Sequence, residues 1–154
     1  MVVVLISIIM SVIVGSFTGV DREYEFRGFV QRLATQIEMA RDKAVQTNHE
    51  WGLYVSREGI EFAEFDPINE EWLKKTLRPF KMDELDGEVI FRAAVENYPG
   101  QVDTDDEDLP TIMLFSSGET TPFEIEIEPE WSERRWVLSS DGFSRITAER
   151  EGDS

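Results

Sequence analysis

The chain has no cysteine and a single histidine, His49. Without cysteine there is neither a disulfide framework nor thiolate chemistry, and the chain is compatible with oxidising and reducing compartments alike. One imidazole rules out a histidine-rich zinc site and makes a nucleophile–base pair of the serine type hard to build. Positive charge is also scarce. Against 15 Lys and Arg stand 32 Asp and Glu, a formal net charge of −17. Such a chain repels a phosphate backbone, so nucleic-acid binding through a broad basic surface is excluded and the expected partners are proteins.

What is present is an apolar start. Residues 1–20, MVVVLISIIMSVIVGSFTGV, carry no charge until Asp21. At about 1.5 Å per residue they would span ~30 Å as a helix, the thickness of a bilayer core. A strand of this length would exceed the usual size roughly threefold. A cleaved secretory signal is the better rival, but the basic n-region is missing and the apolar run is longer than a typical h-region. The reading is a transmembrane helix over 1–20. Phe26, Val30, Leu33, Ile37, Ala40 and Ala44 then follow at spacings of four and three, the seam of an amphipathic helix continuing the rod over 21–47. Unbroken, such a rod is about 70 Å long, with Gly15 and Gly28 as its weak points. The seam fits a helix packed on its own head or one paired with a coiled-coil partner.

From His49 the period changes to two. Trp51, Leu53 and Val55 alternate with Gly52, Tyr54 and Ser56; a turn at Glu58-Gly59 follows, and Ile60, Phe62 and Phe65 resume the pattern, which predicts a β-hairpin. Pro67-Ile68-Asn69-Glu70 supplies a second turn. Further strands are expected over 72–77, 89–95, 112–115, 123–127, 136–138 and 145–148, with a loop over 97–110 and a frayed tail over 148–154. The fold class is therefore α+β: a long N-terminal helix, transmembrane then amphipathic, followed by an antiparallel β-sandwich-like head over 48–154.

The residues point to no catalytic centre. His49 beside Asn48 suits the end of the helix, where an imidazole meets the last carbonyls, or the surface. Asp103-Thr104-Asp105-Asp106-Glu107-Asp108 has oxygen ligands enough for calcium, but as an EF-hand loop it places Asp108 where glycine is needed and Leu114 where glutamate is needed. A solvated acidic loop is the expectation. Ser117-Gly118-Glu119 and Ser140-Asp141-Gly142 are turn chemistry, since neither completes a glycine-rich phosphate motif. Trp51, Trp72, Trp131 and Trp136 suit core or sheet-face packing, with a ligand groove as the alternative.

An apolar helix running into an amphipathic one and then a β head resembles the type IV pilin superfamily and, within it, the H-type minor pseudopilins of type II secretion. Residues 37–66, IEMARDKAVQTNHEWGLYVSREGIEFAEFD, look like that family's helix end and first hairpin. Residues 114–127, LFSSGETTPFEIEI, are similar to its strand–turn–strand, with Ser117, Gly118 and Glu119 as the head turn, and Asp141-Gly142-Phe143 is similar to its C-terminal glycine turn. The likeness covers most of the chain. It departs at the start: the family begins with a basic leader and a Gly-Phe-Thr-Leu-Ile-Glu-like motif, cut by a prepilin peptidase that also methylates the new N-terminus. Met1-Val2-Val3-Val4-Leu5 looks like the segment just after that glutamate, as expected of a start codon assigned too late, so no processing residue is carried over.

The resemblance implies a structural subunit, not an enzyme, without metal or cofactor, that supports export of folded periplasmic proteins. It implies a single pass through the bacterial inner membrane, the head in the periplasm, and membrane insertion before assembly. Val2, Leu5, Ile6, Ile9, Val12 and Ile13 would contact lipid and then pack in the filament, while the seam would bind the head or a neighbouring subunit. Its partners would be other pseudopilins, inner-membrane secretion components and secreted cargo. The alternatives are a minor pilin of a type IV pilus and a signal-anchored periplasmic binding module with Trp51, Trp72 and Trp136 lining a groove.

Overall fold

The computed structural model describes the backbone of residues 2–85, 87–95 and 108–152, and the side chains of those from Asp21 onward. The first element, α1, runs Val2–Thr47 without interruption through Gly15 and Gly28. The side chains on which the transmembrane reading rests lie outside the described residues. Among the described residues no helix is long and apolar enough to cross a membrane. Asn48 ends α1 in the left-handed conformation, φ 54°, a role that asparagine tolerates better than most residues. His49 does not reach the last carbonyls; its Nδ1 faces the Glu64 carboxylate at 3.0 Å.

Among the described residues eight strands follow: β1 Trp51–Ser56, β2 Gly59–Asp66, β3 Glu71–Lys75, β4 Val89–Val95, β5 Ile112–Leu114, β6 Phe123–Pro129, β7 Trp136–Ser140 and β8 Thr147–Arg150. They form two four-stranded antiparallel sheets, ordered β3-β2-β1-β5 and β4-β6-β7-β8. The hairpin pairs Ser56 with Gly59, so its loop is Arg57-Glu58, one residue earlier than the pattern suggests. At Pro67–Glu70 the turn is held by Asp66, whose Oδ1 accepts from the Ile68 amide at 2.9 Å and whose Oδ2 accepts from the Asn69 side chain at 2.7 Å. Alternation is sharpest in β6 and β7, where every second side chain from Phe123 and from Trp136 is buried.

Helix α1 packs across both sheets, against β1 and β5 of the first and β7 and β8 of the second. Phe26, Val30, Leu33, Ile37, Ala40 and Ala44 are all buried there, and Phe29 joins them at 2% exposure. Five of these seven are large, and each contributes ~1.5–3 kcal/mol on burial. Their sum rivals the ~5–15 kcal/mol that holds a whole domain together, so this half of the helix is part of the head's core. Since the head already covers the seam, it offers no coiled-coil stripe to a partner.

Two C-terminal expectations shift. The last strand begins at Thr147, two residues later than periodicity suggests, because Phe143, Ser144 and Ile146 bond to α1 instead of to β7. Ala148 to Arg150 are not frayed but paired with Leu138, Val137 and Trp136. The Glu151 amide donates to the Arg135 carbonyl at 2.9 Å, and its carboxylate forms an ion pair with the Arg135 guanidinium.

Candidate functional site

Among the described residues the candidate functional element is α1 and the way the head holds it. Arg41 is the centre of that grip. Its Nε donates to the Gly118 carbonyl at 2.5 Å, Nη1 to Ser144 at 2.7 Å and Nη2 to Phe143 at 2.5 Å, with the side chain 13% exposed. One turn earlier, Glu38 accepts the Ile146 amide at 2.6 Å. A planar guanidinium donates from three separate nitrogens in a fixed fork, which reaches three carbonyls spread over two turns more readily than the single nitrogen of a lysine. Both glycine turns are shaped to meet it. Gly118 takes φ +92° and Gly142 φ +96°, and a side chain at Gly142 would come within 2.8 Å of the Thr120 carbonyl oxygen.

The turn Ser117, Gly118, Glu119 is thus the helix's docking point: Gly118 donates its amide to Phe115 and gives its carbonyl to Arg41. The second turn is fixed by Asp141, whose Oδ1 accepts the amides of Ser144 at 2.7 Å and Phe143 at 2.9 Å. Those bonds to Ser144 and Phe143 hold its carboxyl below the ordinary aspartate range. The head grips α1 at three further positions, Gln36, Arg32 and Glu23. Gln36 donates its side-chain amide to the carbonyls of Pro79 and Lys81, and Arg32 pairs with Asp83 at 2.9 Å. Near the start of the described side chains, Glu23 pairs with Arg150 at 2.7 Å.

Other candidates resolve into structure. Burial pushes the Glu64 carboxyl up, but its bonds to Lys75 and His49, and their charge, outweigh that and leave it below the ordinary value. The tryptophans do not converge. Trp51 is buried against Phe80 at 4.9 Å between ring centres, Trp72 lies tilted against Phe65 at 5.2 Å, Trp131 meets Phe26 edge-on, and Trp136 belongs to the second sheet. A groove lined jointly by Trp51, Trp72 and Trp136 is therefore not formed. Among the described residues no cluster of three or more acidic or histidine side chains could hold a metal. The acidic run 103–108 lies outside them except for Asp108, and Val2, Leu5, Ile6, Ile9, Val12 and Ile13 lie outside them as side chains.

Arg41 and Phe29 escape a reading by sequence pattern. Arg41 bonds backbone carbonyls 77 to 103 positions away, which leave no side-chain signature. Phe29 falls off a strict seam, but α1 lies across two sheets and buries a broader stripe; the doublet Phe29-Val30 is the available signal.

A long helix whose C-terminal half is built into two antiparallel sheets is the architecture of a pilin-like subunit, and solved structures share it. The minor pseudopilin EpsH of the type 2 secretion system of Vibrio cholerae superposes with a TM-score of 0.65 at 16% identity, covering 81% of this chain and 95% of that one. Escherichia coli GspH gives 0.61 at 17% identity, covering 83% and 89%. In sequence, the type II secretion system protein H of Pseudomonas aeruginosa is 29% identical over 151 residues, 93% of this chain and 86% of the relative. The family model for the type II transport protein GspH matches residues 30–142. The chain belongs to the GspH family, the minor pseudopilins of type II secretion, and its role is structural.

Proposed function

We propose that this subunit assembles into a type II secretion pseudopilus through its N-terminal helix and so supports export of folded periplasmic proteins. Residues 1–20 hold it in the bacterial inner membrane in a single pass, with the head over 48–154 in the periplasm. On assembly, Val2, Leu5, Ile6, Ile9, Val12 and Ile13 exchange lipid for the helices of neighbouring subunits. No catalytic step is assigned to it. Its partners are other pseudopilins and inner-membrane secretion components, and secreted cargo meets the acidic head by charge complementarity, weakened at high salt.

The observation that carries this reading is the family match over residues 30–142, which takes in α1 from Val30 onward and strands from both sheets. Because the head already covers Phe26 to Ala44, neighbours are left with the N-terminal apolar segment and the outer face of α1. The test is a clean deletion. Export of folded proteins should stop and return with a plasmid copy; unchanged export would overturn the proposal, and lost twitching with normal export would move the chain to a type IV pilus.

A further inference from the structure

Residues 72–82, WLKKTLRPFKM, hold four of the chain's fifteen basic residues and no acidic one. In a chain of net charge −17 that is an island of opposite sign. The fold brings part of it against α1. Gln36 ties down the carbonyls of Pro79 and Lys81, and the segment Arg78–Asp83 then forms one wall of a groove of about 520 Å³. The other wall is the outer face of α1, with Gly28, Gln31, Arg32, Thr35 and Met39.

Three cations, Arg32, Arg78 and Lys81, line this groove against one carboxylate, Asp83. Asp83 is shared: it sits 2.9 Å from Arg32 and 3.5 Å from Arg78. Lys81 has no ion pair among the described residues, and Arg78 is 84% exposed. Gly28 is the unexpected member. A helix-interior glycine costs ~1 kcal/mol relative to alanine, yet α1 runs through it unbroken. A side chain there would crowd the Arg32 guanidinium at 3.1 Å, so glycine leaves room for that group beside the groove.

We infer that this groove docks a carboxylate-rich segment of a neighbouring pseudopilus subunit. The choice of partner rests on the function proposed above; the chemistry rests on charge complementarity. An anionic lipid surface is the other source of negative charge, but the geometry disfavours it. If the membrane ends near residue 20, Arg32 stands ~18 Å beyond it along α1, more than twice the ~8 Å over which salt screens exposed charge.

The test uses the full-length protein in cells whose export depends on it. With no native cysteine, Thr35→Cys places one thiol in the groove, and a maleimide–benzophenone label there reports what lies against it after irradiation. Mass spectrometry should map the cross-link to an Asp- and Glu-rich stretch of another filament subunit. R78E/K81E should lower the yield about tenfold, with the thermal midpoint of the purified protein unchanged. R78Q/K81Q, which keeps side-chain bulk, should give a smaller drop and serves in its place if the reversed pair fails to fold. Cross-links to phospholipid or to a basic or neutral segment, no cross-link, or a yield indifferent to these substitutions would overturn the docking site. Deletion separates the two ideas: export lost on deletion but normal in R78E/K81E removes the groove and keeps the function, whereas export intact on deletion removes the function.

Discussion

Nε of Arg41 lies 2.5 Å from the carbonyl oxygen of Gly118, 77 positions further along the chain. With the bonds to Phe143 and Ser144 it joins the helix to one turn from each half of the head. Arg41→Ala leaves the half-buried Gly118 carbonyl and the exposed carbonyls of Phe143 and Ser144 without that donor and should cost about 1–3 kcal/mol in urea unfolding. Arg41→Lys should recover only part, and exposed Asp42→Ala should change little.

Gly142 is tested on its own. Its φ of +96° opposes any larger residue, and so does the Thr120 carbonyl oxygen, which would stand 2.8 Å from the first side-chain carbon of a replacement. Gly142→Ala should destabilise by about 1–3 kcal/mol, read as a lower thermal midpoint.

Phe29 stacks near Phe26 at 6.1 Å and meets Phe91 edge-on at 6.4 Å, so its removal leaves a cavity between α1 and the second sheet. Phe29→Ala should cost ~3–5 kcal/mol, more than Ala40→Gly on the same face. Equal losses would mean that the site collapses to fill the hole.

Acid should weaken the head. The folded values of Asp66, Glu64, Asp141 and Glu151 all lie below the ordinary carboxylate range. A depressed carboxylate contributes stability that is fully present above its unfolded value of ~4 and is lost as pH falls through the lower folded value. Urea midpoints measured from pH 7 down to pH 2.5 should therefore drop below about pH 4, and Asp141→Asn should flatten that drop.

Much of this architecture was legible from periodicity. The helical seam, the first hairpin, the Asp66–Glu70 turn and the alternation of β6 need only local patterning, because each element buries one face of its own. What escaped is set by tertiary contact. Arg41 reads as one more surface charge until its carbonyl partners arrive from distant turns, and the start of β8 slips because α1 claims the preceding backbone. The basic island from Lys74 to Lys81 was visible in the sequence but hidden by an average, since a net charge of −17 says nothing about where the positive residues gather.

The hold on α1 at Glu23, Arg32, Gln36 and Arg41 spans five turns of helix. A joint spread over that length resists swivelling far better than a single hinge would. Torque carried into that stretch of α1 therefore reaches the head at four points at once, as the shank of a bolt turns its cap.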